Sequence, residues 1–144
     1  MCIYNIMKEL STEQIIKICK TNNININGIH SKDKMPKELV KGWYIVNLDN
    51  HKGGGTHWTC CYYGKNNMYF DSFGVPSPLS VQELITPYIY NNKEIQNINS
   101  SSCGWFCIAC IKHSNDNKTD FKRFLNYFGK NTMMNETILK AMFS

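Results

Sequence analysis

The first chemistry the chain offers is a thiol at the start of an apolar helix. Cys103 follows Ser100, Ser101 and Ser102, precedes Gly104, and opens the apolar stretch 103–113. At a helix N-terminus it meets the positive end of the dipole and free backbone N–H groups, which favour a thiolate. Gly104 leaves room for a substrate backbone to approach. Core packing accounts for Cys103 equally well. A nucleophilic thiol needs a base. Of His30, His51, His57 and His113, only His57 follows a glycine-rich loop (DNHKGGG, 49–55) and opens a strand candidate, with Trp58 beside it to wall the ring from water. A half-buried sheet histidine is the plain alternative. His30 and His51 read as surface residues in polar loops. His113 ends a helix, where a cation is favourable.

A catalytic imidazole needs an orienter for its second nitrogen. Asp71 ends the strand that the turn Gly64-Lys65-Asn66-Asn67 pairs with the His57 strand. It lies between Phe70 and Phe73, where a lone carboxylate would be costly without a partner. Its alternative role is an Asx turn over Ser72–Gly74. An oxyanion hole needs preorganised donors. The Cys103 N–H is one, and Gln96, seven residues upstream, could supply a side-chain amide; alone it reads as an ordinary strand residue. The spacing Cys103, Cys107, Cys110, His113 also suggests zinc. On one helix these residues span about 15 Å, while a tetrahedral zinc needs every ligand within about 2.3 Å of one point. No metal is expected.

The elements that must position these groups follow from pattern. Ser11 and Gln14 form a capping box ahead of an apolar face at Ile15, Ile16, Ile18 and Cys19. Residues 28–42 read as loop. Strands are expected at 43–48, 57–63 and 68–73, the last two joined by the turn at 64–67. A helix over 80–90 has Val81, Leu84, Ile85 and Tyr88 inward, with Pro87 against it. A short strand is expected at 94–98. Helices follow at 103–113, at 120–128 with Gly129 as C-cap, and at 132–143. Helix, central strands, then helices make an α+β layout, a central mostly antiparallel sheet flanked by helices.

Composition narrows the class. With 144 residues, 42% hydrophobic and 12% aromatic, the chain suits one domain, 1–144, with a sizeable core, and is not disordered. The longest apolar run, FCIACI at 106–111, is far short of the roughly 20 residues that span a bilayer. The N-terminus MCIYNIMKEL does not read as a signal peptide. Seven cysteines without one point to a reducing compartment rather than a disulfide framework. The net charge of +5 is scattered and suits weak contact with a polyanion such as DNA; no nucleic-acid motif appears.

Taken together, GTHW (55–58), YFDSFG (69–74), Gln96 and SSSCGWFC (100–107) resemble the adenain-like (adenovirus endopeptidase-like) maturation cysteine proteases of virophages, polinton-type elements and large DNA viruses. The SUMO-specific proteases are wider relatives. The order His, Asp or Glu, Gln, Cys matches, with the family's seven-residue interval between Gln96 and Cys103. The matched core covers roughly residues 43–113. The chain has Asp71 where the adenovirus enzyme has Glu, and no cysteine between Asp71 and Gln96 for a disulfide-linked activating peptide.

The resemblance implies a papain-like cysteine protease fold in permuted chain order. It implies Cys103 as nucleophile, His57 as general base and acid, Asp71 as orienter, and Gln96 with the Cys103 N–H as oxyanion hole. Gly55, Trp58 and Gly104 would line the substrate cleft. The implied activity is cleavage of viral capsid or structural precursors after small, Gly-Gly-like residues during virion maturation, by a monomer in the virion and the infected cell. No cofactor is implied; activation by DNA or a viral peptide is an extrapolation from relatives. Two alternatives stand beside it: an isopeptidase that removes SUMO-like or ubiquitin-like proteins, and a non-catalytic basic module that binds nucleic acid.

Overall fold

The computed structural model describes residues 8–49 and 57–144. Readings that fall on Cys2, His51, the loop at 50–55 and Gly55 lie outside the described residues. The elements run α1 (Thr12–Thr21), β1 (Gly28–Ser31), β2 (Gly42–Asn47), β3 (Trp58–Tyr63), β4 (Asn67–Phe70), α2 (Leu79–Ile85), β5 (Tyr88–Tyr90), α3 (Cys103–Ser114), α4 (Lys118–Leu125) and α5 (Thr132–Met142). The expected α+β layout is present.

The five strands form one sheet in chain order, β1 to β5. β2–β3 and β3–β4 are antiparallel, whereas β1–β2 and β4–β5 are parallel. The sheet is therefore mixed rather than mostly antiparallel. The difference comes from its two edges. Residues 28–31, expected as loop, form β1. Residues 88–90, expected as the end of a helix, form β5. Pro87 lacks the donor a helix needs and holds Thr86 extended at φ −67°, ψ 135°. The strand expected at 94–98 is irregular chain instead.

Alternation along the strands divides the sheet's two faces. Trp43, Ile45, Cys60, Tyr62, Met68 and Phe70 pack in the core that holds α3. Tyr44, Val46, Cys61 and Tyr69 pack with Val81 and Ile85 of α2 on the other. Both faces are covered, which is why β2 and β3 read as nearly unbroken apolar runs. α3 is buried on all sides, from Cys103 through Ile111, as its uniformly apolar sequence requires. It packs on β3, α1, α4 and α5. α1 carries the expected capping box: Ser11 Oγ accepts from Gln14 N at 3.2 Å, and Ser11 N donates to Gln14 Oε1 at 2.8 Å. α4 starts earlier than expected because the Asn117 side chain caps it, accepting from Thr119 N and Asp120 N. It also ends earlier, at Asn126, so Gly129 is not its C-cap; the Gly129 N–H donates to Asn135 Oδ1 on α5. No helix among the described residues is long and apolar enough to cross a membrane.

Candidate active site

His57 immediately precedes β3, and Asp71 immediately follows β4. The β3–β4 register pairs Cys60 with Phe70. Extended beyond that pair, it sets His57 against Phe73 and puts Asp71 on the adjacent diagonal of the same face. The rings of His57 and Phe73 stack at 4.9 Å, 25° apart. His57 Nε2 and Asp71 Oδ1 are 2.8 Å apart. The same Oδ1 accepts from Phe73 N at 2.8 Å. Asp71 thus makes the Asx turn and also orients the imidazole; the two readings of this residue are not alternatives.

Asp71 is held from behind. Its N–H donates to Asn91 Oδ1 at 3.1 Å, and its carbonyl accepts from Asn91 Nδ2 at 2.6 Å. Gly74 N donates to the same carbonyl at 2.7 Å and closes the turn. Gly74 has φ +77°, and a Cβ there would sit 2.6 Å from the Lys93 carbonyl group. Glycine is needed at that position for both reasons.

Cys103 begins α3 as expected and is only 3% exposed. Its side chain lies close enough to His57 to interact with it electrostatically. With Nε2 engaged by Asp71, Nδ1 is the ring nitrogen available to the thiol. The Trp58 N–H also points at Cys103 Sγ, at 3.4 Å. This donor is invisible in the sequence. Burial pulls the His57 pKa down, but the hydrogen bonds and charges of Asp71 and Cys103 outweigh it and push it up from 6.5 to about 9. The imidazolium form is therefore favoured at neutral pH.

Four other thiols are shifted upward by burial. Burial pushes Cys19 up to about 11 and Cys61 up to about 12, and raises Cys60 and Cys107. These are packing residues, as the sequence suggests. Among the described residues no group of three or more His, Cys, Asp or Glu could hold a metal. His113 stacks on Phe124 at 5.9 Å, and burial lowers its pKa. It is a packing residue more than a helix-end cation. His30 lies on β1, half-buried near Tyr44, and not in a loop.

Gln96 is buried in irregular chain rather than in a strand. The N–H groups of Ile95 and Gln96 both donate to Ser72 O, at 2.8 and 2.9 Å. The Ser72 hydroxyl donates to Gln96 Oε1 at 2.5 Å. Gln96 Nε2 donates to Ser100 O at 3.0 Å, which folds the segment back toward the start of α3. One Nε2 proton remains for another acceptor.

Two cleft expectations need adjustment. Gly104 is buried, and a Cβ there would meet Leu10 Cδ1 at 3.2 Å and Trp58 Cδ1 at 3.3 Å. The room left by its missing side chain is taken by protein, not open to a substrate. Trp58 is also buried, its Nε1 donating to Leu10 O at 2.9 Å. It lines a cavity of about 430 Å³ with Glu9, Leu10 and Asn47. Sequence reasoning missed Leu10, Ser72, Asn91, Ser102 and Glu136. Of these, only Ser102 carried a local signal, as one of the serines before the helix.

Compared with family models and with curated protein sequences, the chain matches none.

Proposed function

We propose that this protein is a cysteine endopeptidase of the adenain-like type, with a papain-like fold in permuted chain order. It acts on viral capsid or structural precursors, after small, Gly-Gly-like residues, within the virion or the infected cell. The observation that carries the reading is the imidazole of His57, bonded to Asp71 at 2.8 Å, with the N–H of the next residue, Trp58, directed at Cys103 Sγ at 3.4 Å. The order of the four motifs in the chain adds the family. The chain order supports the permuted reading: papain-like enzymes place the nucleophile near the N-terminus and His downstream, whereas here His57 precedes Cys103.

In this reading Cys103 and His57 rest as a thiolate–imidazolium pair. Cys103 Sγ attacks the scissile carbonyl carbon, and the carbonyl π pair moves onto oxygen. The Cys103 N–H and the free Nε2–H of Gln96 stabilise that oxyanion. Collapse breaks the C–N bond, and His57 gives its proton to the leaving amine. Water then attacks the thioester while His57 takes its proton; the acid leaves, and the thiolate–imidazolium pair is restored. Asp71 keeps the ring oriented and its cationic form stable throughout.

The test is cleavage of a fluorogenic peptide with Gly-Gly before the cut, by wild type and Cys103→Ala. Loss on the order of 10⁴–10⁶-fold in kcat is expected; full activity of the variant would sink the proposal. A SUMO or ubiquitin fusion run in parallel distinguishes an isopeptidase, which would favour the folded fusion over the peptide.

A further inference from the structure

We infer that Glu136, on the C-terminal helix α5, is a positioning residue that holds the two oxyanion donors at their working separation; the inference rests on the protease reading above. Glu136 is 40 residues from Gln96 and is buried. Both carboxylate oxygens are used. Oε1 accepts from the Ser102 hydroxyl at 2.7 Å, and Oε2 accepts from Asn97 N at 3.2 Å. Ser102 adjoins Cys103, and Asn97 adjoins Gln96. One planar group therefore ties the neighbour of each donor to the other.

The Ser102 hydroxyl is diverted for this purpose. Ser102 stands at the N-cap of α3, where a serine ordinarily accepts from a first-turn N–H. Here its side chain caps nothing in the helix. It donates to Glu136 and lies 2.9 Å from Ser100 Oγ. Ser102 Oγ therefore does not compete for the N–H groups at the head of α3. The same face of α5 grips the segment twice more. Asn97 Nδ2 donates to Thr132 Oγ1 at 3.1 Å, and Asn135 Nδ2 donates to Ile95 O at 3.0 Å. Glu136 makes no ion pair among the described residues. A buried carboxylate is costly unless hydrogen-bonded, and its two bonds both go to the oxyanion segment.

The experiment measures four quantities on the full chain for wild type, Glu136→Ala, Glu136→Gln, Ser102→Ala, the Ser102→Ala/Glu136→Ala double variant and Cys103→Ala. They are kcat and KM on the Gly-Gly peptide, the rate of iodoacetamide labelling at Cys103, and the melting temperature. Glu136→Ala is expected to lower kcat on the order of 10²-fold, the scale of a misplaced catalytic group, with KM little changed. Cys103 labelling should stay at the wild-type rate, because the His57 pair does not depend on Glu136. Glu136→Gln should recover much of kcat, since it keeps the size and one acceptor. Combining Ser102→Ala with Glu136→Ala should cost no more than Glu136→Ala alone. A folded Glu136→Ala with unchanged kcat overturns the inference. So does a parallel fall in labelling and kcat, which would mark general loosening. Should Glu136→Ala fail to fold, Ser102→Ala decides by the same split: lower kcat with normal labelling supports the inference, and unchanged kcat overturns it. Cleavage by Cys103→Ala would instead bring down the protease reading, and the inference with it.

Discussion

The Ser72 hydroxyl donates to Gln96 Oε1 at 2.5 Å, while its chain neighbour Asp71 holds His57 Nε2 at 2.8 Å. Two consecutive residues past the end of β4 thus orient the proposed base and the proposed oxyanion donor. The Ser100 carbonyl, which can only accept, settles which way the Gln96 amide is turned, with Nε2 toward Ser100 O and Oε1 toward the Ser72 hydroxyl. Ser72→Ala should therefore lower kcat by about tenfold, and Gln96→Ala by about 10²–10³-fold. The double variant should match Gln96→Ala. Steady-state kinetics on the Gly-Gly peptide checks this; independent, multiplying losses would show that Ser72 acts elsewhere.

The alkaline limb of the pH profile should report His57. The active pair loses its proton as pH rises through about 9, so kcat/KM should fall there. Asp71→Asn retains an Oδ1 acceptor for Phe73 N but removes the charge, so the limb should move to lower pH. An unmoved limb would exclude Asp71 as the source of the shift.

Stability should follow the same group. Its folded pKa lies above the unfolded value of 6.5, so the stabilisation is full below about 6.5 and is lost as pH rises through about 9. Urea unfolding of wild type and His57→Ala should show a larger gap at about pH 6 than at about pH 10. A gap that widens with pH would reverse the sign and reject the assignment.

Thiol reactivity should be selective. Burial raises Cys19, Cys60, Cys61 and Cys107 out of the reactive range at neutral pH. A peptide map after brief alkylation at about pH 6 should find Cys103 labelled and these four unlabelled, and the Cys103 label should be lost in His57→Ala. Equal labelling of Cys103 in both proteins would separate the thiol from the imidazole.

Gly74→Ala should destabilise the fold by at least about 1 kcal/mol, the cost of a left-handed residue, because its Cβ would also press on the Lys93 carbonyl group. The same turn carries Asp71, so kcat should fall with the melting temperature. A neutral effect on both would mean that the turn tolerates a different path.

What the sequence determined by itself is whatever rests on neighbours in the chain. The capping box at Ser11 and Gln14 starts α1, the turn at 64–67 brings the His57 and Asp71 strands together, and the all-apolar run after Cys103 marks a buried helix. Local hydrogen bonds and periodicity carry these, and they put His57, Asp71 and Cys103 at the ends of elements; Gln96 was picked out by its seven-residue interval to Cys103 and by the family resemblance. Only the tertiary structure decided the rest. β1 (GIHS) exists because β2 offers it an edge, and β5 because β4 does; neither segment has a pattern strong enough to show this. Gln96 looked like a strand residue, yet its backbone and that of Ile95 both bond to one carbonyl of Ser72, far away in the chain. Asn135 and Glu136 lie in a segment that the sequence marked only as a last helix. They are buried because the unpaired backbone and hydroxyl groups of segment 95–102 need partners, and α5 is where the fold provides them.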